Sequence, residues 1–270
     1  FEIVYVVEGQ RRVRGIRKHR WYKGKSRGLP SGDDLCPLAT SAGIDAMISE
    51  DVNAAEARKE LKERPIDILL CVGFDRLFCA DILALPSQAA INCHPSALPK
   101  YRGPTPIFWC LKDGNTEMAV TLHGIDDKED HGPIYTQEFF TIPSRATGDT
   151  LYRLAANHAA NLCEQILKQA CVGSLEGTAQ NDTQACRAPR PKPEDALIDP
   201  AEWTCEALLN FCCAAPYFRI PWMKMGEDPY FIMRAIKTMP GETLPGESAV
   251  QGKFLFVQCK DGVCELEIQT

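Results

Sequence analysis

The chain has 270 residues, enough for one large domain or for a large and a small one. Its 45% hydrophobic and 24% charged residues are ordinary for a globular protein. The longest apolar run, around Ile66–Phe74, is strand-sized, far short of the roughly 18 residues that span a bilayer. The net charge of −6 is unevenly spread: nine Lys/Arg and no acid lie between Arg11 and Arg27, leaving 21 basic against 36 acidic residues elsewhere, a balance of −15.

In chain order, residues 2–7 are apolar and β-branched and predict a buried strand. The basic stretch that follows, to about Asp34, is rich in glycine and predicts a long loop. A short helix over Leu35–Ala42 and a strand near Ile44–Ile48 come next, then a helix from an Asn53 N-cap to Lys62, stopped by Pro65. Ile66–Val72 is almost continuously apolar and predicts a parallel strand buried on both faces. Ala80–Leu85 predicts a short helix and Ala89–Cys93 another apolar strand, an alternation typical of an α/β doubly wound sheet.

A proline-rich loop (95–106), a helix near Ile107–Lys112 and strands at Met118–Gly124 and Ile134–Ile142 follow. Gly148–Cys171 has the longest helical pattern, with Leu151, Ala155, Leu162 and Ile166 spaced near 3.6. Gly, Thr, Asn, Gln and Pro accumulate over Gly173–Pro193, which predicts a semi-rigid linker. Beyond it, a helix near Trp203–Cys213 and strands at Tyr230–Ile236, Lys253–Gln258 and Val263–Ile268 predict a small β-rich second domain.

The thirteen cysteines do not read as a disulfide framework, since the count is odd, no C-x-x-C occurs and most lie in apolar runs. The five histidines do not cluster with them in zinc-ligand spacing, so no structural metal is expected. Reduced thiols and the lack of a basic, apolar leader predict a cytoplasmic protein with no membrane partner.

Chemistry concentrates in three places. The strand Ala89-Ala-Ile-Asn92 runs into Cys93-His94-Pro95-Ser96, at the carboxyl end of a sheet strand where open α/β sheets bind ligands. Asn92 and His94, two residues apart, project to one side if strand geometry persists. Leu98-Pro-Lys-Tyr-Arg-Gly103 makes a rigid basic turn, and Asp126–Asp130 puts carboxylates into a loop between strands. Each alone has an ordinary reading: a capping Asn, a hydrogen-bonded His, a solvated acidic turn. The combination and its spacing point to catalysis.

That combination, Asn92-x-His94-x-Ser96-x-Leu98-Pro99-x-x-Arg102-Gly103, resembles the N-x-H-x-S-x-L-P-x-x-R-G signature of the folate-dependent formyltransferases. Asp130-x-Gly132-x-Ile134 resembles their second motif, D-x-G-x-I, and the resemblance covers at least residues 66–170. It implies a Rossmann-like catalytic domain with a mostly parallel sheet over 1–183, a linker at 184–196 and a small C-terminal β-barrel (OB-like) domain over 197–270. It implies formyl transfer from N10-formyltetrahydrofolate to a primary amine, with Asn92, His94 and Asp130 as the catalytic residues and no metal.

In such enzymes Asn92 and a charged His94 would donate to the oxyanion formed when the amine attacks the formyl carbon. Asp130 would keep His94 charged and move the amine proton. The donor would lie against Leu70, Val72, Phe74, Leu77, Ser96, Leu98, Arg102 and Gly132. Members of the family differ in acceptor, and the echo past the linker, Arg190-x-x-x-Glu194-Asp-Ala-x-Ile-Asp199, resembles those that act on methionyl-tRNA. The basic stretch occupies the position of the loop that grips the tRNA acceptor arm there, which makes Arg11, Arg12, Arg14, Arg17, Lys18 and Arg20 candidate acceptor ligands. Trp21 and Tyr22 could stack on unpaired bases. The alternative acceptor is a nucleotide-linked amino sugar or another small amine. Such enzymes carry a strand, a glycine turn and a helix ahead of the unit seen here at 2–7, so the catalytic domain is expected to lack its N-terminal strand and helix.

Overall fold

A computed structural model describes residues 5–9, 39, 43–49, 51–74, 76–173, 175–225, 228–246 and 248–269. The expectations for 2–4, for most of 35–42 and for the whole basic stretch fall outside these residues. The chain forms two compact units, one of Phe1–Ile91 with Leu167–Leu175 and one of Asn92–Ile166 with Glu176–Thr270.

In the first unit β1 (Tyr5–Gly9) pairs in parallel with β2 (Asp45–Ser49), Tyr5 opposite Asp45. Helix α1 (Ala55–Lys62) buries Ala57 and Leu61, and α2 (Ala80–Leu83) buries Ile82. Val52, Leu61 and Ile82 form the core, packed by Ile66, Leu69, Phe74, Phe78 and Leu85. Two expectations change. Asn53 does not cap α1, whose N-cap is Ala54 with no side-chain bond. Its carboxamide instead donates to Leu77 O at 2.9 Å and accepts from Cys79 N–H at 2.8 Å, fastening the loop ahead of α2. Strand β3 (Ile68–Val72) is not buried on both faces: Cys71 is buried, whereas Leu70 and Val72, two apart and so on the other face, are exposed.

Strands β3, β4 (Ala89–His94), β5 (Glu117–Gly124) and β6 (Ile134–Thr141) follow one another in a four-stranded sheet, and the boundary between the units falls inside β4. β5 and β6 are antiparallel, with a register shift between Leu122 and His123. Helix α3 (Pro106–Lys112) starts on a proline whose fixed φ suits the first turn. Helix α4 (Gly148–Val172) buries Leu151, Ala155, Ala159, Leu162 and Ile166, an i, i+4, i+8, i+11, i+15 stripe that explains its length.

The second unit continues into α5 (Cys205–Ala214), capped by the Thr204 hydroxyl, and a five-stranded sheet in the order β7-β8-β11-β10-β9. These strands are β7 (Trp222–Met225), β8 (Asp228–Pro240), β9 (Ser248–Gln251), β10 (Phe254–Cys259) and β11 (Gly262–Ile268). Each neighbouring pair in it is antiparallel. β7 and β9 form its two margins, so it is an open sheet among the described residues, and ring closure of the OB kind is not part of it. Phe108 of α3 meets Phe211 of α5 edge-on at 5.4 Å, both fully buried, which joins this helix to the core around the sheet.

Candidate active site

β4 delivers its last residues to the polar centre of the second unit. Asn92 and His94 lie on the same side of the strand and both reach Asp130, which comes from the loop between β5 and β6. The Asn92 Nδ2 donates to Asp130 Oδ1 at 3.1 Å. His94 Nδ1 lies 3.6 Å from Asp130 Oδ2, while its Nε2 donates to Tyr101 O at 2.9 Å. A carbonyl only accepts, so that bond places a proton on Nε2 and aims Nδ1 at the carboxylate. Gly103 N–H donates to Asp130 Oδ2 at 2.8 Å.

Asp130 is held in a left-handed conformation, φ 50°. This is costly for most side chains and least so for Asp and Asn, and such residues concentrate at functional sites. A clamp stabilises it: Gln180 Nε2 donates to the carbonyls of Asp130 (2.9 Å) and Gly132 (2.8 Å). The Gln180 Oε1 in turn accepts from Arg102 Nε at 3.0 Å and Nη2 at 2.8 Å. Arg102 therefore braces the loop, and it also pairs with Asp182 at 2.8 Å. Gly132 is required sterically, since a Cβ there would stand 2.0 Å from Gly124 O.

The turn after β4 is fixed just as firmly. Ser96 and Leu98 are each 3% exposed. Ser96 Oγ donates to Lys100 O, Thr121 Oγ1 to Ser96 O, and Gln137 Nε2 to Leu98 O at 3.1 Å. The Leu98–Pro99 peptide is cis.

His123 is a member of this cluster that sequence reasoning passed over. It sits at the register shift in β5, where a bulge re-aims a side chain. Its Nδ1 donates to Gly124 O at 2.7 Å, and its Nε2 lies 3.1 Å from Asn92 Nδ2 and 3.4 Å from Asp130 Oδ1. The available signal was a histidine at the carboxyl end of a strand neighbouring that of Asn92.

Electrostatics correct one expectation. Burial pushes the His94 imidazole below its ordinary value, and the Asp130 charge and the Tyr101 carbonyl only partly oppose this. His94 is thus neutral at pH 7 rather than held charged. Burial works to raise the Asp130 carboxyl, but the His123 hydrogen bond, the electrostatic influence of the adjacent His94 imidazole and the Gly103 N–H outweigh it, leaving it below the usual carboxylate range.

Of the expected donor-contact residues, Ser96, Leu98, Arg102 and Gly132 surround the Asn92–His94–Asp130 cluster in the second unit. Leu70, Val72, Phe74 and Leu77 belong to the first. Leu70, Val72 and Leu77 are exposed at 37%, 62% and 59%, and Phe74 stacks on Phe78 at 5.1 Å between centroids. Arg11, Arg12, Arg14, Arg17, Lys18 and Arg20 lie outside the described residues.

The profile of a family described as "Formyl transferase" matches residues 3–167, more than half of the chain. The chain belongs to the formyltransferase family. A curated relative, the methionyl-tRNA formyltransferase of Kosmotoga olearia, is 34% identical over 161 residues, covering 60% of this chain and 52% of that one. The chain thus spans about half the length of the curated relatives it matches. Among solved structures, an N-formyltransferase from Helicobacter canadensis, in complex with folinic acid and dTDP-3-aminofucose, shares the fold at TM-score 0.65 and 17% identity, with both chains fully covered. A methionyl-tRNA formyltransferase from Clostridium thermocellum does so at TM-score 0.59 and 14% identity, over 98% of each chain. No helix among the described residues is long and apolar enough to cross a membrane.

Proposed function

We propose that this formyltransferase-family chain moves a formyl group from N10-formyltetrahydrofolate to a primary amine, that of methionyl-tRNA. The observation that carries the reading is the convergence of Asn92, His94 and Asp130 around one carboxylate in a half-buried polar centre. On this reading residues 1–183 carry the chemistry, 184–196 link, and 197–270 form an accessory β-rich domain.

The reaction needs an amine nitrogen to attack the formyl carbon, an oxyanion to be stabilised, and the proton lost by the amine to reach the leaving folate nitrogen. The Asn92 carboxamide is a preorganised donor whose Nδ2 is turned towards Asp130. Donating to the oxyanion, such a group contributes roughly 3 kcal/mol. A neutral His94 with its Nδ1 lone pair facing an ionised Asp130 leaves a vacant proton position between them. A proton taken from the amine settles there, with its positive charge on the imidazole balanced by the carboxylate, and is then passed to the leaving nitrogen. The resting site is thus poised to accept a proton, not to hold one.

Support for methionyl-tRNA as acceptor comes from the relatives that carry that name and from the basic stretch Arg11–Arg27. A nucleotide-linked amino sugar, of the class bound in the dTDP-3-aminofucose complex that shares this fold, is the alternative acceptor. The test is formyl transfer from N10-formyltetrahydrofolate to initiator methionyl-tRNA beside a panel of nucleotide amino sugars. Formylated methionyl-tRNA is expected, with at least about a hundredfold loss on Asn92→Ala, His94→Ala or Asp130→Ala. Substantial turnover by Asp130→Ala sinks the mechanism, and activity confined to the amino sugars replaces the acceptor.

A further inference from the structure

Away from the polar centre, three thiols converge inside the C-terminal part of the second unit. Cys205 opens α5, Cys259 closes β10, and Cys264 lies on β11 beyond the intervening turn. Their sulfurs all lie within 4.8 Å of one another, and the side chains are 2%, 3% and 1% exposed. The Cys259 and Cys264 sulfurs are 3.6 Å apart. That is well beyond the roughly 2.05 Å of a disulfide. It is close to the spacing of about 3.8 Å that two thiolates adopt on one metal with bonds of about 2.3 Å.

We propose that Cys205, Cys259 and Cys264 form a buried trithiolate site for a soft, closed-shell metal ion, Zn(II) or Cu(I). Thiolates select these ions. The turn between the strands supports the arrangement, since Asp261 Oδ1 accepts from Cys205 N–H at 2.7 Å and ties the start of α5 to the β10–β11 hairpin. As the first residue of a helix capped by Thr204, Cys205 lies at the positive end of the helix dipole, which favours a thiolate. No fourth ligand joins the group among the described residues. A trigonal set suits Cu(I) directly, whereas Zn(II) needs another donor, and the Asp261 carboxylate, already bonded to the Cys205 N–H, borders the group. Each sulfur–metal bond forms as an S–H proton leaves to solvent, so affinity rises with pH. The site would fasten helix to hairpin and has no part in formyl transfer.

The experiment loads the full chain, purified under reducing conditions, with Zn(II), with Cu(I) or with Co(II) as a spectroscopic probe. About one equivalent of Zn(II) or Cu(I) per chain should survive desalting, and Co(II) should show thiolate charge-transfer absorption. Cys259→Ser should weaken binding by at least about tenfold, the least that loss of even a supporting residue costs. Cys171→Ser, which removes an exposed thiol outside the cluster, should leave it unchanged. If zinc is the ion retained, Asp261→Ala should weaken it as well. Retention of neither ion, equal binding by Cys259→Ser, or a Cys259–Cys264 disulfide in non-reducing peptide mapping overturns the proposal. Should the serine variants fail to fold, X-ray absorption on the loaded parent decides, with three sulfurs expected and two or fewer overturning it.

Discussion

At the scale of single residues, His94 is where opposing forces meet. The Asp130 charge favours the imidazolium and burial disfavours it, and burial prevails. A histidine whose folded value lies below its ordinary 6.5 contributes stability that is fully present above 6.5. As pH falls through the folded value, the unfolded chain takes up the proton first and that contribution is lost. Asp130, also lowered, follows the same sign further down, with stability present above 3.8 and lost as pH falls below it. Replacing His94 by Gln removes the first contribution and leaves the second to the His123 and Gly103 bonds. The thermal midpoint of His94→Gln should therefore fall less than that of the parent between about pH 7 and about pH 5. Parallel melting-temperature curves for the two proteins across that interval would show that His94 is not the buried neutral group described. The same lowering places the acidic limb of the activity profile below 6.5, because the proton acceptor must be vacant.

At the scale of elements, the site depends on a segment that composition marks as a linker. Residues 176–189 lie along the loops of the site: Thr178 and Ile134 exchange backbone bonds at 2.8 Å, Ala188 N–H reaches Arg102 O, and Gln180 grips Asp130 and Gly132. Truncating Gln180 to Ala leaves two loop carbonyls without that donor, at about 1 kcal/mol each. The loop that presents Asp130 in a left-handed conformation should loosen, lowering kcat several-fold with little change in global melting temperature. Hydrogen exchange of residues 126–133 checks the cause, and unchanged protection there would refute it. Gly132→Ala should be harsher, because its Cβ meets a backbone oxygen at 2.0 Å and something must move. Overpacking of this kind costs about 1–3 kcal/mol.

These elements also show what could be read from the residues. β4 with Asn92 and His94 is legible because apolar run and motif agree there, and α4 because its apolar stripe keeps one helical period throughout. The margins β7 and β9 are four residues each, too short for periodicity to show. The role of Asn53 was misread because an Asn before a helix looks the same whether it caps that helix or reaches a loop 24 residues on. His123, Gln180 and the trithiolate cluster depend on contacts distant in sequence, which no local pattern encodes.

At the scale of the whole molecule the charge distribution gives the proposed acceptor its test. A body of −15 repels a polyanion, so on the proposed reading the affinity for tRNA comes from the nine Lys/Arg between Arg11 and Arg27, acting at short range where salt does not fully screen them. Each phosphate they neutralise releases counterions and steepens the fall of affinity with salt, by a slope of about 0.7–0.9 per contact. Replacing Arg17, Lys18 and Arg20 together by Gln should therefore reduce the salt slope of tRNA binding by about 2–3 and raise KM for methionyl-tRNA. The kcat should stay close to that of the parent, since the replaced residues are remote in sequence from Asn92, His94 and Asp130. A small nucleotide amino sugar carries few phosphates and would give a shallow slope that these substitutions barely alter. Measuring the slope for both acceptors with parent and triple variant thus separates the two readings: a steep slope for tRNA that the variant does not flatten places the tRNA contacts elsewhere on the chain, and turnover of the sugar with a flat slope removes tRNA as the acceptor.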